Sequence, residues 1–345
     1  MPLLKRYTKS LLNSVSSAVS LPQLIKASGR NLFLPVYHLV CSQAPPHIRN
    51  LYQTRNEKLF REDLDFLLKH FEPLTFEALN ATVLEGKSLR KPGFFLTFDD
   101  GLREIYDVVA PILKEKGVPA AFFLNSAFHD NQALFYRYQV SVLIEKLQEK
   151  TVSDSAKKLL AKLLLEKQLL KEGDLKNSLL AINFNSKEVL PEIAAILEID
   201  FQEYLQTQKP YLTTSQTEEL LNQGFYIGAH SHSHPEYRTV SLEEQLQQTF
   251  RSVDFLTEKF NLPYRWFAFP FTDEGVSRQF FEEVYKNEKV QLSFGSAGLK
   301  HDTFPQHLQR FPMEGTQQSA EELIKTEYLY YLAKAPFGKN KITRR

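Results

Sequence analysis

The sequence predicts an α/β fold in which about seven parallel strands, each followed by a helix, close into a barrel. Three observations carry that expectation. Short apolar runs recur along the chain, and their hydrophobicity is continuous rather than alternating, as in strands covered on both faces. Amphipathic stretches with helix-end signals separate them.

The first run is LFLPVYHLV, from Leu32, and the second is FFLTF, Phe94 to Phe98. A helical pattern then covers Leu102 to Lys116 and stops at Gly117, before AAFFLN, Ala120 to Asn125. The rhythm breaks over His129 to Pro210, which has no strand pattern but is rich in Leu, Lys, Glu and Ala. A structureless loop of that length is improbable inside a domain, so a helical insertion is expected, with its mixed charges on solvated faces. Thr217 to Gln223 reads as a helix ending at Gly224, followed by FYIGA, Phe225 to Ala229. The helix Leu242 to Phe260 opens on Ser241 with Glu244 three positions on, the pattern of a capping box. WFAF, QLSFGS and a run from His307 to Met313 complete the strands. The expected division is an N-terminal helical segment at 1–31, a barrel at 32–335 containing the insertion 129–210, and a basic tail at 336–345, whose KNKITRR reads as frayed.

Composition narrows the functional classes. Hydrophobic residues make up 43% and charged residues 24%, and 42 Lys+Arg against 41 Asp+Glu leave a net charge of +1. A nucleic-acid binder would need a cationic excess, so no nucleic-acid partner is expected. The single cysteine, Cys41, excludes an internal disulfide and a cysteine-based zinc site. Ser, Asn and Lys break the apolar stretches of the first residues before they reach signal-peptide length, and no run approaches the roughly 20 apolar residues that span a bilayer. The expectation is a cytoplasmic protein whose amphipathic N-terminal helix can lie on a membrane surface; the oligomeric state has no signal.

Chemistry gathers where predicted strands end. FFLTF runs into Asp99-Asp100-Gly101, FYIGA into His230-Ser231-His232-Ser233-His234-Pro235, and WFAF into Pro270-Phe271. In a parallel barrel these ends form one rim, where active sites are built. Two adjacent carboxylates repel unless a cation or a shared proton relieves them, although Asp-Gly is also an ordinary turn pair. His230 and His234 share a face if their segment makes a helical turn, and two imidazoles with one carboxylate make a three-ligand site for a divalent cation. Ser231 stands where HExxH metalloproteases carry their glutamate, so a general base must come from elsewhere, and His232 is expected to be a spectator.

TFDDG at Thr97 to Gly101 and HSHSHP at His230 to Pro235 resemble the first two motifs of the NodB-type polysaccharide deacetylases, carbohydrate esterase family 4. Tyr37-His38 and PAAFFL, Pro119 to Leu124, resemble segments that commonly flank the first motif. The resemblance covers Leu32 to Glu314 apart from the insertion. It implies a distorted (β/α) barrel and metal-dependent removal of an acyl group, usually N-acetyl from an amino sugar, so that carbohydrate is the expected partner. It makes Asp99 the general base and Asp100, His230 and His234 the ligands of a divalent metal, with zinc preferred, while the backbone N–H near Phe271 helps to hold the oxyanion. The third motif departs from the family's RxPYG form, with Ala268 at the arginine, Phe271 at the tyrosine and Thr272 at the glycine. Arg310, on the later strand, is the expected substitute for the arginine. The last motif, Leu-x-His, has no clear counterpart, which leaves His38 and His301 as rival general acids. Two other readings stay open: an inactive glycan-binding relative, and a hydrolase of a non-sugar amide.

Overall fold

A computed structural model describes residues 19–171 and 174–345. Its strands, in chain order, are β1 Leu32–Phe33, β2 Pro35–Tyr37, β3 Glu72–Pro73, β4 Gly93–Phe94, β5 Leu96–Phe98, β6 Ala120–Leu124, β7 Tyr226–Ala229, β8 Trp266–Ala268, β9 Leu292–Gly295, β10 His307–Gln309 and β11 Phe311–Pro312. The main sheet has the order β10-β9-β8-β7-β6-β5-β2-β11, with every pair parallel. β10 and β11 are one run interrupted at Arg310: its first half pairs with β9 and its second half with β2. That run closes the ring, so the eight segments amount to the seven strands expected of a distorted barrel. Continuous burial follows from the continuous hydrophobicity, since all five residues of β6 are buried.

LFLPVYHLV is not a single strand. It breaks at Leu34 into β1 and β2, as FFLTF breaks at Phe95 into β4 and β5, and β1, β4 and β3 form a separate small parallel sheet. The helix expected from Leu102 opens instead as a wide π turn, Ile105–Val109, before Ala110–Lys116 and its left-handed cap at Gly117. Ser241 accepts the N–H of Glu244 at 3.2 Å, but the Glu244 carboxylate accepts from Gln248 Nε2 at 2.9 Å, so only half of the capping box forms. The helix Ala320–Lys334 was invisible to periodicity because it buries Lys325, Thr326 and Glu327 as well as Leu323, Ile324 and Tyr328, which leaves no apolar stripe.

Residues 1–18 of the expected N-terminal segment lie outside the described residues. The helix Leu21–Ser28 inserts Leu21, Leu24 and Ile25 into the main core beside Ala320–Lys334. Among the described residues no helix is long and apolar enough to cross a membrane.

The region 129–210 is helical, with helices Tyr136–Leu147, Asp154–Glu166, Leu175–Leu180, Leu190–Ile196 and Phe201–Gln208. Its buried Leu143, Leu160 and Ile193 form a second core that includes Leu39, just beyond β2, and Leu102, just beyond β5. Those residues follow strand C-terminal ends, so the insertion sits on that rim of the barrel.

The tail is not frayed. Arg344 is buried and pairs with Asp302 at 2.6 Å and with Asp273, while its Nη1 donates to Asp273 O at 2.7 Å. His307 and Gln309 complete the network on Asp273 at 3.1 and 2.8 Å. The guanidinium thus neutralises a carboxylate pair that would otherwise be expelled from the interior. Arg344→Ala is expected to destabilise the protein by about 3–5 kcal/mol, because it leaves buried carboxylates unpaired. An unfolding midpoint in guanidinium chloride equal to that of the parent protein would show that the tail contributes nothing to the fold.

Candidate active site

The turn after β5 is built on consecutive left-handed residues, Asp100 at φ 73° and Gly101 at φ 63°. Glycine adopts this conformation freely, whereas Asp100 is held there by its surroundings. Ser231 at 65°, His234 at 58° and Phe271 at 56° share the conformation. Non-glycine residues of this kind cost about 1–3 kcal/mol each and cluster where a site over-determines them.

His230 and His234 do meet, with ring centroids 4.9 Å apart, but not through a helical turn. The chain after β7 is a loop in which Ser231 Oγ accepts the His234 N–H at 3.0 Å. His230 Nδ1 lies 2.9 Å from Ala268 O, so Nδ1 carries the proton and Nε2 faces the site. Asp100 Oδ1 lies 3.4 Å from His230 Nε2 and 3.2 Å from His234 Nε2. It is buried and has no hydrogen-bond partner. Burial alone would raise the Asp100 carboxyl, but the adjacent imidazoles outweigh it and hold the group well below the usual carboxylate range. Burial lowers the His234 ring, which keeps it neutral. A carboxylate, two imidazoles that turn Nε2 towards it and an orphaned oxygen at their centre fit a divalent cation, and the candidate ligand atoms lie within 4.8 Å of one another. A second acidic and histidine cluster among the described residues, Asp273, Asp302 and His307, already holds the Arg344 guanidinium.

Asp99 is also buried, 3.9 Å from His230 Nε2 through Oδ2. Arg310 grips it with two bonds, Nη1 to Oδ1 at 2.6 Å and Nη2 to Oδ2 at 2.7 Å, while its Nε donates to Gly295 O at 3.1 Å. Arg310, on the run that closes the ring, thus gives Asp99 a guanidinium partner that Ala268 cannot. Burial would raise the Asp99 carboxyl, but the Arg310 charge, together with the neighbouring His230 and the Arg310 hydrogen bonds, lowers it below its ordinary value, so the group stays ionised.

His38 follows β2 at the rim. Its Nδ1 lies 3.0 Å from Glu314 Oε2, and Glu314 Oε1 accepts the N–H groups of His38 and Leu39 at 2.6 and 2.8 Å. Burial acts to lower the ring, but Glu314 overrides it and the pKa is pushed up to about 9. His301 lies elsewhere, against Arg30 at 2.9 Å, just before β1 and so at the opposite ends of the strands. His232 turns away to Ser126 Oγ at 2.8 Å. Phe271 follows β8 with its ring against His234 at 4.6 Å, and among the described residues no acceptor takes its N–H.

Two neighbours of the site escaped the sequence reading. Glu314 stands just beyond β11, where the strand-end argument that found Asp99 would also have found it. Tyr138, which donates to Asp100 Oδ2 at 2.6 Å, comes from the helix Tyr136–Leu147 of the insertion and carries no sequence signal.

The sequence model of the polysaccharide deacetylases matches residues 86–164 and 167–288. The Streptococcus pyogenes deacetylase PplD, solved in complex with acetate, aligns with a TM-score of 0.52 and 16% identity over 86% of this chain and 97% of its own. IcaB from Ammonifex degensii gives 0.53 and 15% over 86% and 97%. A de-N-acetylase from Aggregatibacter actinomycetemcomitans gives 0.50 and 15% over 84% and 97%. At such identities the likeness is one of fold. No curated protein sequence matches the chain.

Proposed function

Because the chain belongs to the polysaccharide deacetylase family, hydrolases of carbon–nitrogen bonds other than peptide bonds, we propose that it removes an N-acetyl group from an amino sugar with the help of a bound zinc ion. The observation that carries this reading is the convergence of Asp100, His230 and His234 on an unpartnered carboxylate oxygen, beside an ionised Asp99. Asp100, His230 and His234 are the residues that would hold the metal. A divalent ion there supplies an activated water, its pKa lowered to about 7, and polarises the acyl carbonyl.

Asp99 takes the proton of the attacking water, and Arg310 keeps it charged and oriented for that task. The Phe271 N–H donates to the oxyanion. The leaving nitrogen needs a proton, since an amide anion departs very poorly, and His38 supplies it: with its pKa at about 9 it is charged at neutral pH, on the same rim as Asp99 and Asp100. The insertion 129–210 caps the rim and limits which glycans enter.

Acetate release from a panel of N-acetylated and O-acetylated sugars tests the proposal. Release from N-acetylated sugars should cease with a chelator and return with zinc, and His234→Ala should contain less metal than the parent. Zinc-loaded protein that binds glycans yet frees no acetate from any of them would favour the inactive glycan-binding reading.

A further inference from the structure

We propose that Tyr138 is a positioning residue through which the helical insertion holds the metal ligand Asp100 in place. The inference rests on the metal-dependent reading above. Tyr138 is 1% exposed, and its phenol donates to Asp100 Oδ2 at 2.6 Å. An ionised carboxylate only accepts hydrogen bonds, so this donor occupies one oxygen and leaves the other, Oδ1, as the atom presented to His230 and His234. Metal ligands commonly depend on such outer partners for their orientation.

The phenol is fixed from several sides. The Tyr138 ring packs edge-on to Phe135 at 5.0 Å and stacks on Tyr211 at 6.1 Å, with the His47 ring 5.3 Å away. Tyr211 in turn accepts the Phe135 N–H with its hydroxyl at 3.0 Å, pinning the start of the helix Tyr136–Leu147. One turn further along that helix, Ser141 Oγ donates to Pro46 O at 2.6 Å and accepts the Asn50 N–H at 3.2 Å. The helix is therefore tied to the short helix Pro46–Arg49 that follows β2, and its phenol reaches the turn after β5. No barrel side chain makes a hydrogen bond to Asp100 Oδ2 among the described residues. The insertion is thus a part of the site as well as a cover over it.

Tyr138→Phe removes the hydroxyl and keeps the ring. Zinc affinity, measured by competition with a chromophoric chelator, should weaken about 10- to 100-fold. Tyr136→Phe, which removes another phenol of the same helix and no hydrogen bond to Asp100, should bind zinc as the parent does. An unchanged zinc affinity in folded Tyr138→Phe would overturn the inference, whereas a parent protein that binds no zinc would sink the metal reading itself. Should Tyr138→Phe not fold, hydrogen exchange of the parent decides: added zinc should protect the amides of 136–147, and equal exchange with and without zinc would overturn the inference.

Discussion

Asp99→Asn is expected to retain its metal and to lose about 10²- to 10⁴-fold in turnover, the usual contribution of a general base. The amide keeps the shape of the carboxylate but cannot take a proton from water. It also leaves the Arg310 guanidinium, 1% exposed in its side chain, without an anionic partner, so a lower melting temperature should accompany the loss of rate. Asp100→Ala should fail differently, losing metal affinity first, because its Oδ1 faces both imidazoles. Metal content and single-turnover rate measured on both variants separate the two roles. Full turnover in Asp99→Asn would transfer the base to another group.

Arg310→Ala should change the pH dependence as well as the stability. Arg310 carries the largest of the charges that hold Asp99 below its ordinary range against burial, so without it the carboxyl rises. An opposite charge at this distance is worth about 1–3 pKa units, and the acid limb of the pH–rate profile should move upward by that amount. The alkaline limb should stay where it is. For stability the sign is that of a depressed carboxylate: the Asp99–Arg310 pair stabilises the fold above the ordinary carboxylate pKa, and this is lost as pH falls through the lower folded value. Removing one partner of so buried a pair should cost about 3–5 kcal/mol. Arg310→Lys keeps the charge but loses the two-point grip, and should lie between parent and alanine variant in both measurements. If the acid limb of Arg310→Ala does not move while metal is retained, Asp99 is not the group that titrates there.

The site was legible in the sequence where polar residues interrupt apolar runs at strand ends. Asp99, Asp100 and His230 were found in this way, Phe271 came from the resemblance of its motif, and Arg310 from the expectation that a closed ring brings its strand round towards β5, from which only β2 separates it. The four-residue spacing of His230 and His234 was informative for a reason other than the one it suggested. A left-handed Ser231 and a side-chain bond fold the loop, and neither Ser231 nor His234 is of a type that announces such a backbone. Tyr138 was beyond reach because its place depends on how the insertion docks, and docking is set by two cores meeting rather than by any local pattern. The same holds for Arg344, whose basic neighbourhood reads as solvated until Asp273 and Asp302 are seen beneath it.

The closure of the sheet through a run broken at Arg310 has a consequence for how parts of such an enzyme can be exchanged. In a ring, a side chain is addressed by the angle from which it enters the centre, and several angles reach the same point. The guanidinium that β8 does not supply at Ala268 arrives from two strands further round and meets the same carboxylate. A guanidinium can therefore reach the same carboxylate from more than one point on the circumference. A search along the chain records a missing letter where the centre of the ring has lost nothing.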